Sequence, residues 1–436
     1  MLIVAALIIA AAIYLMVRRV DVRLVLLGAG LAMALLAGRP LAIADTFTRA
    51  MVTAMVAPIC ASMGFAALMH ATGCDRHLVH ALLAPMRRLE WLVLPGGILS
   101  AYLVNVAVPS QGATAAALGP ILVPLLLASG RTPAIAGAAL VLGASFGGDL
   151  LNPGAQDIQA VSGTAGLDAA LLSARVIPAS LAGVLVATVV FTLINWRRAA
   201  VPAETTAEPV IAAPLDEPWL RVNPVKAVIP LTPIALLLTA YAGWEPLAWL
   251  VTIPPGDEWL PLAGALPVVR AMLIGALLGV VVAWREVLAL SKAFFDGMGS
   301  AYTSIISLTI TAQCFGAGVA LIGLADALLR LASASNALVP LAAGFPWALS
   351  ILSGSGSGPI LAFAQTFLTQ VNPADNPVTL AAVACLGGAF GRTMSPVSAV
   401  VVYGSGLVST PPLTVIRHLL PALLAGGGVA MTVALR

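Results

Sequence analysis

The chain has 436 residues, of which 60% are hydrophobic and 9% are charged, and its formal net charge is +3. Soluble domains carry about 25% charged residues, so this composition excludes an ordinary soluble protein. Apolar runs close to the ~20 residues that cross a bilayer recur from one end to the other. The sequence therefore predicts an all-α polytopic membrane protein.

The first apolar run, residues 2–17, is followed rather than preceded by its basic residues, Arg18, Arg19 and Arg23. By the positive-inside rule this order predicts a retained helix with its N-terminus on the outer face, not a signal peptide. The basic stretch 74–90 is expected to lie along the cytoplasmic surface. Spans in the N-terminal half, 1–195, are predicted near 2–17, 24–38, 50–70, 133–163 and 173–195.

Residues 196–226 form the one long polar stretch, rich in Pro and Ala, and are predicted to be a cytoplasmic linker between two halves. Spans in the C-terminal half, 227–436, are predicted near 227–242, 268–284, 299–322, 378–409 and 415–433.

Two further pairs of apolar arms lie at 91–128 and 337–370. If each pair formed one crossing, Arg197 and Arg198 of the linker would fall on the outer face. If neither pair crosses, all the basic loops fall inside. The arms are therefore predicted to be re-entrant hairpins, which gives ten spans and two hairpins.

The two halves repeat each other. "VPSQGAT" (108–114) and "LSGSGSG" (352–358) occupy the two hairpin tips, and "LGASFGGDLLNPGAQD" (142–157) matches "LGGAFGRTMSPVSAV" (386–400) about thirty residues later. With five crossings in each half, the repeats have opposite orientation, which is the plan of many secondary transporters. Simple kinks or small-residue helix contacts explain one such motif, but not two matched pairs.

Gly, Ser and Pro break helices at these four places, and lipid offers no hydrogen bonds to the freed backbone. The N–H groups at half-helix N-termini suit an anionic substrate, and the released carbonyls suit a small cation.

The paired tips and the two "FG…(N/S)P" breaks resemble the ion transporter superfamily, and "NPGAQD" and "GRTMSPVSAVVVYGSG" most resemble its DcuC-type C4-dicarboxylate carriers. The resemblance implies a homodimer in the bacterial inner membrane, with a periplasmic N-terminus. Each protomer would combine a scaffold with a mobile transport domain that slides as an elevator. The implied activity is secondary active transport of succinate, fumarate or malate, by ion coupling or exchange.

Relatives carry Ser-Asn-Thr at the hairpin tips, where this chain has Ser110-Gln111-Gly112 and Ser353-Gly354-Ser355. The Asn oxygen of a sodium site is thus missing from both tips. The coupling ion stays open between Na⁺ and H⁺, and the altered tips favour H⁺. The candidate coupling-ion residues are Gly147, Asp149, Asn152, Gly391 and Ser395.

Charges at membrane depth are costly and are functional candidates by default. Arg392 offers a fork of donors for one substrate carboxylate, with the other carboxylate on the Ser110 tip. The alternative is an internal Asp149–Arg392 ion pair. Asp157 is either buried or solvated at the outer end of its span. The candidate substrate-binding residues are Ser110, Gln111, Gly112, Thr114, Asn152, Ser353, Gly354, Ser355, Gly356, Ser357, Arg392, Thr393 and Ser395.

Other functions find less support. The histidines His70, His77 and His80 near Cys74 have partial metal-ligand spacing, but surface positions explain them better. The chain has no Walker motif, nucleophile elbow or HExxH, so no enzyme activity, metal, cofactor or nucleic-acid partner is predicted. The remaining alternatives are carriage of another small organic anion, a passive channel and an intramembrane enzyme. The direction of transport also stays open.

Overall fold

The computed structural model describes residues 2–18, 20–52, 56–196, 220–252, 266–323 and 337–436, and within them the regular structure is helical. The helices before the linker are α1 (Leu2–Val17), α2 (Val22–Leu36), α3 (Leu41–Ala50), α4 (Val56–Thr72), α5 (Cys74–Leu83), α6 (Glu90–Ala107), α7 (Gln111–Ala128), α8 (Pro133–Ser145), α9 (Gln156–Ala165) and α10 (Ala169–Asn195).

The helices after the linker are α11 (Pro224–Val228), α12 (Thr232–Tyr241), α13 (Ala248–Val251), α14 (Leu266–Val282), α15 (Val287–Ala301), α16 (Ser307–Leu321), α17 (Leu338–Ser353), α18 (Ser357–Thr366), α19 (Pro377–Met394), α20 (Ala399–Leu407) and α21 (Pro412–Ala434). The predicted linker 196–226 falls mostly outside the described residues, which include only 196 and 220–226 of it.

Several stretches are long and apolar enough to cross a membrane, which confirms the predicted all-α membrane protein. Helices α4 and α5, which meet at a bend of 74°, are long and apolar enough to cross when they are taken together. Helices α2, α14 and α16 are also apolar but shorter. Within the described ranges, six stretches are long and apolar enough by themselves: 111–128, 133–151, 169–195, 224–241, 377–407 and 412–434. The total of ten crossings stays a prediction.

The predicted hairpin arms coincide with two helix pairs, α6 with α7 and α17 with α18. Ser110 lies in extended backbone as the N-cap of α7, and its hydroxyl accepts a hydrogen bond from the Ala113 N–H. Gly354 ends α17 with φ +73°, a conformation that disfavours side chains with a Cβ. Since α7 alone is long enough to span, re-entry of its hairpin stays a prediction.

Helices α3 and α15 were not predicted. Lys292 and Asp296 interrupt the apolar pattern of α15 but do not stop the helix, which continues through a π-helical turn at 302–306 into α16. The span predicted at 299–322 is therefore the end of a longer helical segment. The basic stretch after α4 is also helical, and α5 buries Leu78, Val79 and Leu83 rather than lying wholly on the surface.

Packing follows the same scheme in both halves. The first hairpin arm packs on the helix that precedes the break, α6 on α8 and α17 on α19. Each contact needs a glycine, because a Cβ at Gly143 would collide with the Ile98 carbonyl and one at Gly391 with the Trp347 carbonyl.

Among the described helices, α10 and α21 form the most extensive contact between the two halves. They cross at Gly183 and Gly426, where a Cβ at Gly183 would lie 2.8 Å from the Gly426 carbonyl oxygen. Ala187 and Ala430, one turn further along each helix, complete a small-xxx-small crossing that lets the backbones touch.

Candidate substrate site

The two helix breaks lie side by side in the core. Between α8 and α9 the chain makes a short 3₁₀ turn, and between α19 and α20 it is non-helical over four residues. The rings of Phe146 and Phe390 lie 5.0 Å apart between centroids. The Thr393 hydroxyl hydrogen-bonds the Ser145 carbonyl across the interface at 2.8 Å. One break from each half thus contributes to a single site.

A buried cluster of three charges occupies this junction. Arg392 Nη2 lies 3.6 Å from Asp149 Oδ2, and Arg392 Nη1 lies 3.5 Å from Asp157 Oδ2. The exposed fractions are 5% for Arg392 and 1% for each aspartate. Asp157 is therefore buried, and the solvated position considered for it is wrong. When all three groups are ionised, the cluster carries one negative charge in excess.

Each hairpin tip contributes one hydrogen bond to this cluster. The Gln111 side-chain amide donates to Asp149 Oδ2, and the Ser357 hydroxyl donates to Asp157 Oδ1. The Asp149 backbone N–H donates a hydrogen bond to Asn105 Oδ1 at 2.9 Å. The two tips therefore meet around Arg392, each through a different carboxylate.

A cavity of about 320 Å³ opens between the tips and the breaks, a volume suited to a small ligand. Arg392 is the charged residue among its described lining residues, and hydroxyl and amide groups surround it. A Cβ at Gly356 would lie 2.8 Å from Arg392 Nη1, so this tip rests directly on the guanidinium. The lining residues are Gln111, Gly112, Gln156, Leu308, Gly354, Ser355, Gly356, Ser357, Arg392, Ser398, Ala399 and Val400.

Six of the predicted substrate-binding residues do not line this cavity. Asn152 holds the first break, because its amide donates to the Val106 carbonyl and its oxygen accepts from the Gly154 N–H. Ser395 accepts from the Val397 N–H at 3.4 Å within the second break. The six are Ser110, Thr114, Asn152, Ser353, Thr393 and Ser395. Asp149, a predicted coupling-ion residue, also lies outside the lining and contacts Arg392.

The hydroxyls of Thr114 and Ser353 are already engaged by nearby backbone carbonyls. Thr114 donates to the Val108 carbonyl at 3.4 Å, and Ser353 donates to the Ser355 carbonyl at 3.3 Å. In the coupling set, the Gly147 carbonyl accepts from the Ser180 hydroxyl at 3.1 Å. These oxygens support the loops rather than face the cavity.

Five lining residues were not predicted. Gln156 and Ser398 lie within the two repeat motifs, so the repeat itself carried a signal for them. Ala399 and Val400 begin α20 and supply an apolar wall. Leu308 comes from α16, where nothing in the local sequence distinguishes it from its apolar neighbours.

The histidines of the candidate metal cluster have other partners. His70 Nδ1 lies 2.9 Å from Asp75 Oδ2, and His77 Nδ1 accepts a hydrogen bond from the Asn223 N–H at 3.2 Å. Within the described ranges no three His, Cys, Asp or Glu side chains form a group that could hold a metal.

The sequence of this chain is similar to those of known membrane carriers. Residues 42–435 match the DcuC family, described as C4-dicarboxylate anaerobic carrier. The anaerobic C4-dicarboxylate transporter DcuC of Escherichia coli is 24% identical over 378 residues, which cover 83% of this chain and 76% of that one. A short uncharacterised transporter of Haemophilus influenzae is 40% identical over 136 residues, 31% of this chain and 94% of its own.

A solved structure shares the fold. The crystal structure of the Alcanivorax borkumensis YdaH transporter superposes with a TM-score of 0.58 at 20% identity, and the match covers 90% of this chain and 86% of that one. The arrangement of helices is thus that of a known membrane transporter.

Proposed function

Because the chain belongs to the C4-dicarboxylate anaerobic carrier family, we propose that it is a secondary active transporter of small dicarboxylates such as succinate, fumarate and malate. The observation that carries this proposal is the position of Arg392 on the cavity between the two hairpin tips. A guanidinium surrounded by hydroxyl and amide groups matches the chemistry of a carboxylate.

Arg392 retains capacity for a substrate carboxylate although it is paired with two aspartates. Its contacts of 3.5 and 3.6 Å are longer than the 2.7–2.9 Å typical of charge-assisted hydrogen bonds. Its Nε is buried and has no hydrogen-bond partner among the described residues. The internal pair and the ligand role are therefore compatible: the aspartates hold the guanidinium, and a substrate carboxylate would form the shorter bonds.

Purified protein in proteoliposomes tests the proposal. We expect uptake of labelled succinate to exceed equilibration when an ion or counter-substrate gradient is imposed. A passive channel would equilibrate succinate without accumulating it. A carrier of another small organic anion would accumulate that anion and leave labelled succinate outside.

For the coupling ion, we propose a proton carried at Asp149. The excess negative charge of the cluster supports this choice, because one proton would balance it. A sodium site would need several free oxygens, but the Gly147 carbonyl and the Asn152 side chain are already engaged. The Asp149 Oδ1 atom is buried and has no hydrogen-bond partner in the described part of the chain.

We further propose an inverted-repeat elevator in a homodimer of the bacterial inner membrane, with a periplasmic N-terminus. The matched packing of α6 on α8 and of α17 on α19 supports two equivalent repeats, 1–195 and 227–436. The meeting of one break from each repeat supports a shared site. Crosslinking between single cysteines on α2 and α7, in opposite-facing states, would test whether the tips move against the outer helices.

A further inference from the structure

A second cavity, of about 340 Å³, lies between the N-terminal ends of α10 and α19. It is separate from the Arg392 site. Thr379, in its wall, precedes Arg392 by thirteen positions on the same helix, a distance of ~20 Å along the axis. The described lining residues are Leu171, Ala174, Arg175, Asn376, Val378 and Thr379.

Two polar side chains of this cavity, those of Arg175 and Thr379, are donors without partners among the described residues. Arg175 forms no ion pair or hydrogen bond with any described residue, and its Nε is buried. The Thr379 hydroxyl is also buried and has no partner there, and the residue is only 8% exposed. A half-buried guanidinium and a free hydroxyl at one cavity call for an acceptor that the described chain does not supply.

The end of α19 adds favourable electrostatics. The first turn of an α-helix leaves N–H groups without intrahelical partners, and its end carries partial positive charge. Pro377 has no N–H, and Asn376 accepts from the Thr379 and Leu380 N–H groups. The Val378 N–H, on the cavity wall, is therefore the donor of this turn left without a partner among the described residues. A negatively charged oxygen would be stabilised by this end as well as by Arg175.

The nearest acidic residue of α10 is already engaged. Asp168 accepts hydrogen bonds from the N–H groups of Ala170 and Leu171 and so caps its own helix. It does not neutralise Arg175, which lies two turns further along α10.

We propose that this cavity is a second anion site, which binds a single oxyanion group, a carboxylate or a phosphate. Two sources supply that chemistry: the free dicarboxylate substrate and the headgroup of an anionic phospholipid. The lipid source is supported by Leu171, 61% exposed, which continues into an outward apolar stripe on α10. The stripe consists of Leu181, Leu185, Val189 and Leu193.

Binding measurements test the site. Wild-type protein and Arg175→Gln are placed in phosphatidylcholine nanodiscs and titrated with succinate and with inorganic phosphate. Native mass spectrometry measures the phosphatidylglycerol that each protein retains. Arg417→Gln, which removes the charge of an exposed arginine on α21, is the matched control. The Arg392 site is intact in all three proteins, so differences report on the second cavity.

We expect Arg175→Gln to weaken binding of at least one of these anions by ~10-fold or more, since hydrogen bonds to charged groups are strong, and Arg417→Gln to bind as wild type. Loss of phosphatidylglycerol alone identifies a lipid headgroup, and loss of a succinate or phosphate site identifies a free anion. Equal binding of all three anions would overturn the proposal. If Arg175→Gln does not fold, Thr379→Val is measured instead, because valine keeps the shape of the side chain and removes its hydroxyl. Binding of all three anions by Thr379→Val that equals wild type would then overturn the proposal.

Discussion

The Arg392 guanidinium and the Asp157 carboxylate lie 235 positions apart in the chain, yet their Nη1 and Oδ2 atoms are 3.5 Å apart in the core. Asp149 approaches the same guanidinium from the first break. Removing one partner of a buried ion pair typically costs 3–5 kcal/mol, because the remaining charge is left unpaired. Arg392 therefore has a structural role whatever it binds, and experiments must separate the two roles.

Arg392→Lys keeps the positive charge but loses the planar fork of donors. We expect the apparent KM for dicarboxylates to rise ~10-fold or more, since a charged hydrogen bond contributes roughly 1.5–3 kcal/mol. Initial rates of succinate uptake measure it, with Arg417→Lys as the control for an exposed arginine. An unchanged KM would remove Arg392 from the substrate site.

The double change Arg392→Ala with Asp149→Ala separates the ligand role from the structural one. It leaves the cluster with a single negative charge, the same excess that the ionised wild-type cluster carries. A purely structural Arg392 therefore predicts recovery of succinate–succinate exchange, which does not need a proton at Asp149, relative to Arg392→Ala. We expect the double variant to fold, as judged by its thermal unfolding, and to remain inactive in this exchange.

Gly356→Ala tests the contact between the second tip and the guanidinium. The new methyl would lie 2.8 Å from Arg392 Nη1, so the end of the arginine must shift while the backbone need not. We expect a KM increase of ~3-fold or more with little loss of stability. Gly344→Ala, in α17 of the same hairpin, has open space around its Cβ and is the matched control. Gly354→Val should impair transport more, because its φ is +73°.

Equal KM values for Gly356→Ala and Gly344→Ala would mean that the tip is only a structural turn. A large drop in the thermal unfolding temperature of Gly356→Ala alone would point the same way.

Asp149→Asn tests proton coupling. The amide keeps the shape of the carboxyl and can still accept from Gln111, but it cannot exchange a proton. We expect accumulation driven by a pH gradient to fall ~10-fold or more, while succinate–succinate exchange continues. Asp45→Asn, on the exposed face of α3, is the control. Wild-type uptake that disappears when choline replaces sodium at a fixed pH gradient would assign coupling to sodium instead.

Topology is testable on an almost unreactive background, because Cys60, Cys74, Cys314 and Cys385 are all buried. We expect Thr205→Cys, in the predicted linker, to react with a membrane-impermeant maleimide in inverted vesicles but not in intact cells. Ala374→Cys, exposed between α18 and α19, should show the opposite pattern. Labelling of both from the same side would contradict the predicted orientation.

Sequence reasoning located the hairpin tips and breaks because their Gly, Ser and Pro residues are conspicuous among apolar runs. It also placed Asp149 and Arg392 close together, since the repeat aligns their positions. It missed the burial of Asp157, because a carboxylate near a helix start can equally be solvated, and only the fold brings Ser357 and Arg392 to it. Sequence reasoning missed α15 because a charged residue ends an apolar run without ending a helix. It missed Leu308 because contact between helices distant in the chain leaves no pattern in the local sequence.

The contact between α10 and α21 constrains how the protein can move. Gly183 and Gly426 bring the two backbones together, and Ala187 and Ala430 close the crossing on either side. A slip of one helix along the other would bring larger side chains onto backbone that has no room for a Cβ. We therefore expect the two helices to move as one rigid unit. If the proposed elevator motion alternates access to the Arg392 cavity, its hinges must lie outside this crossing, and the two halves of the site would move together.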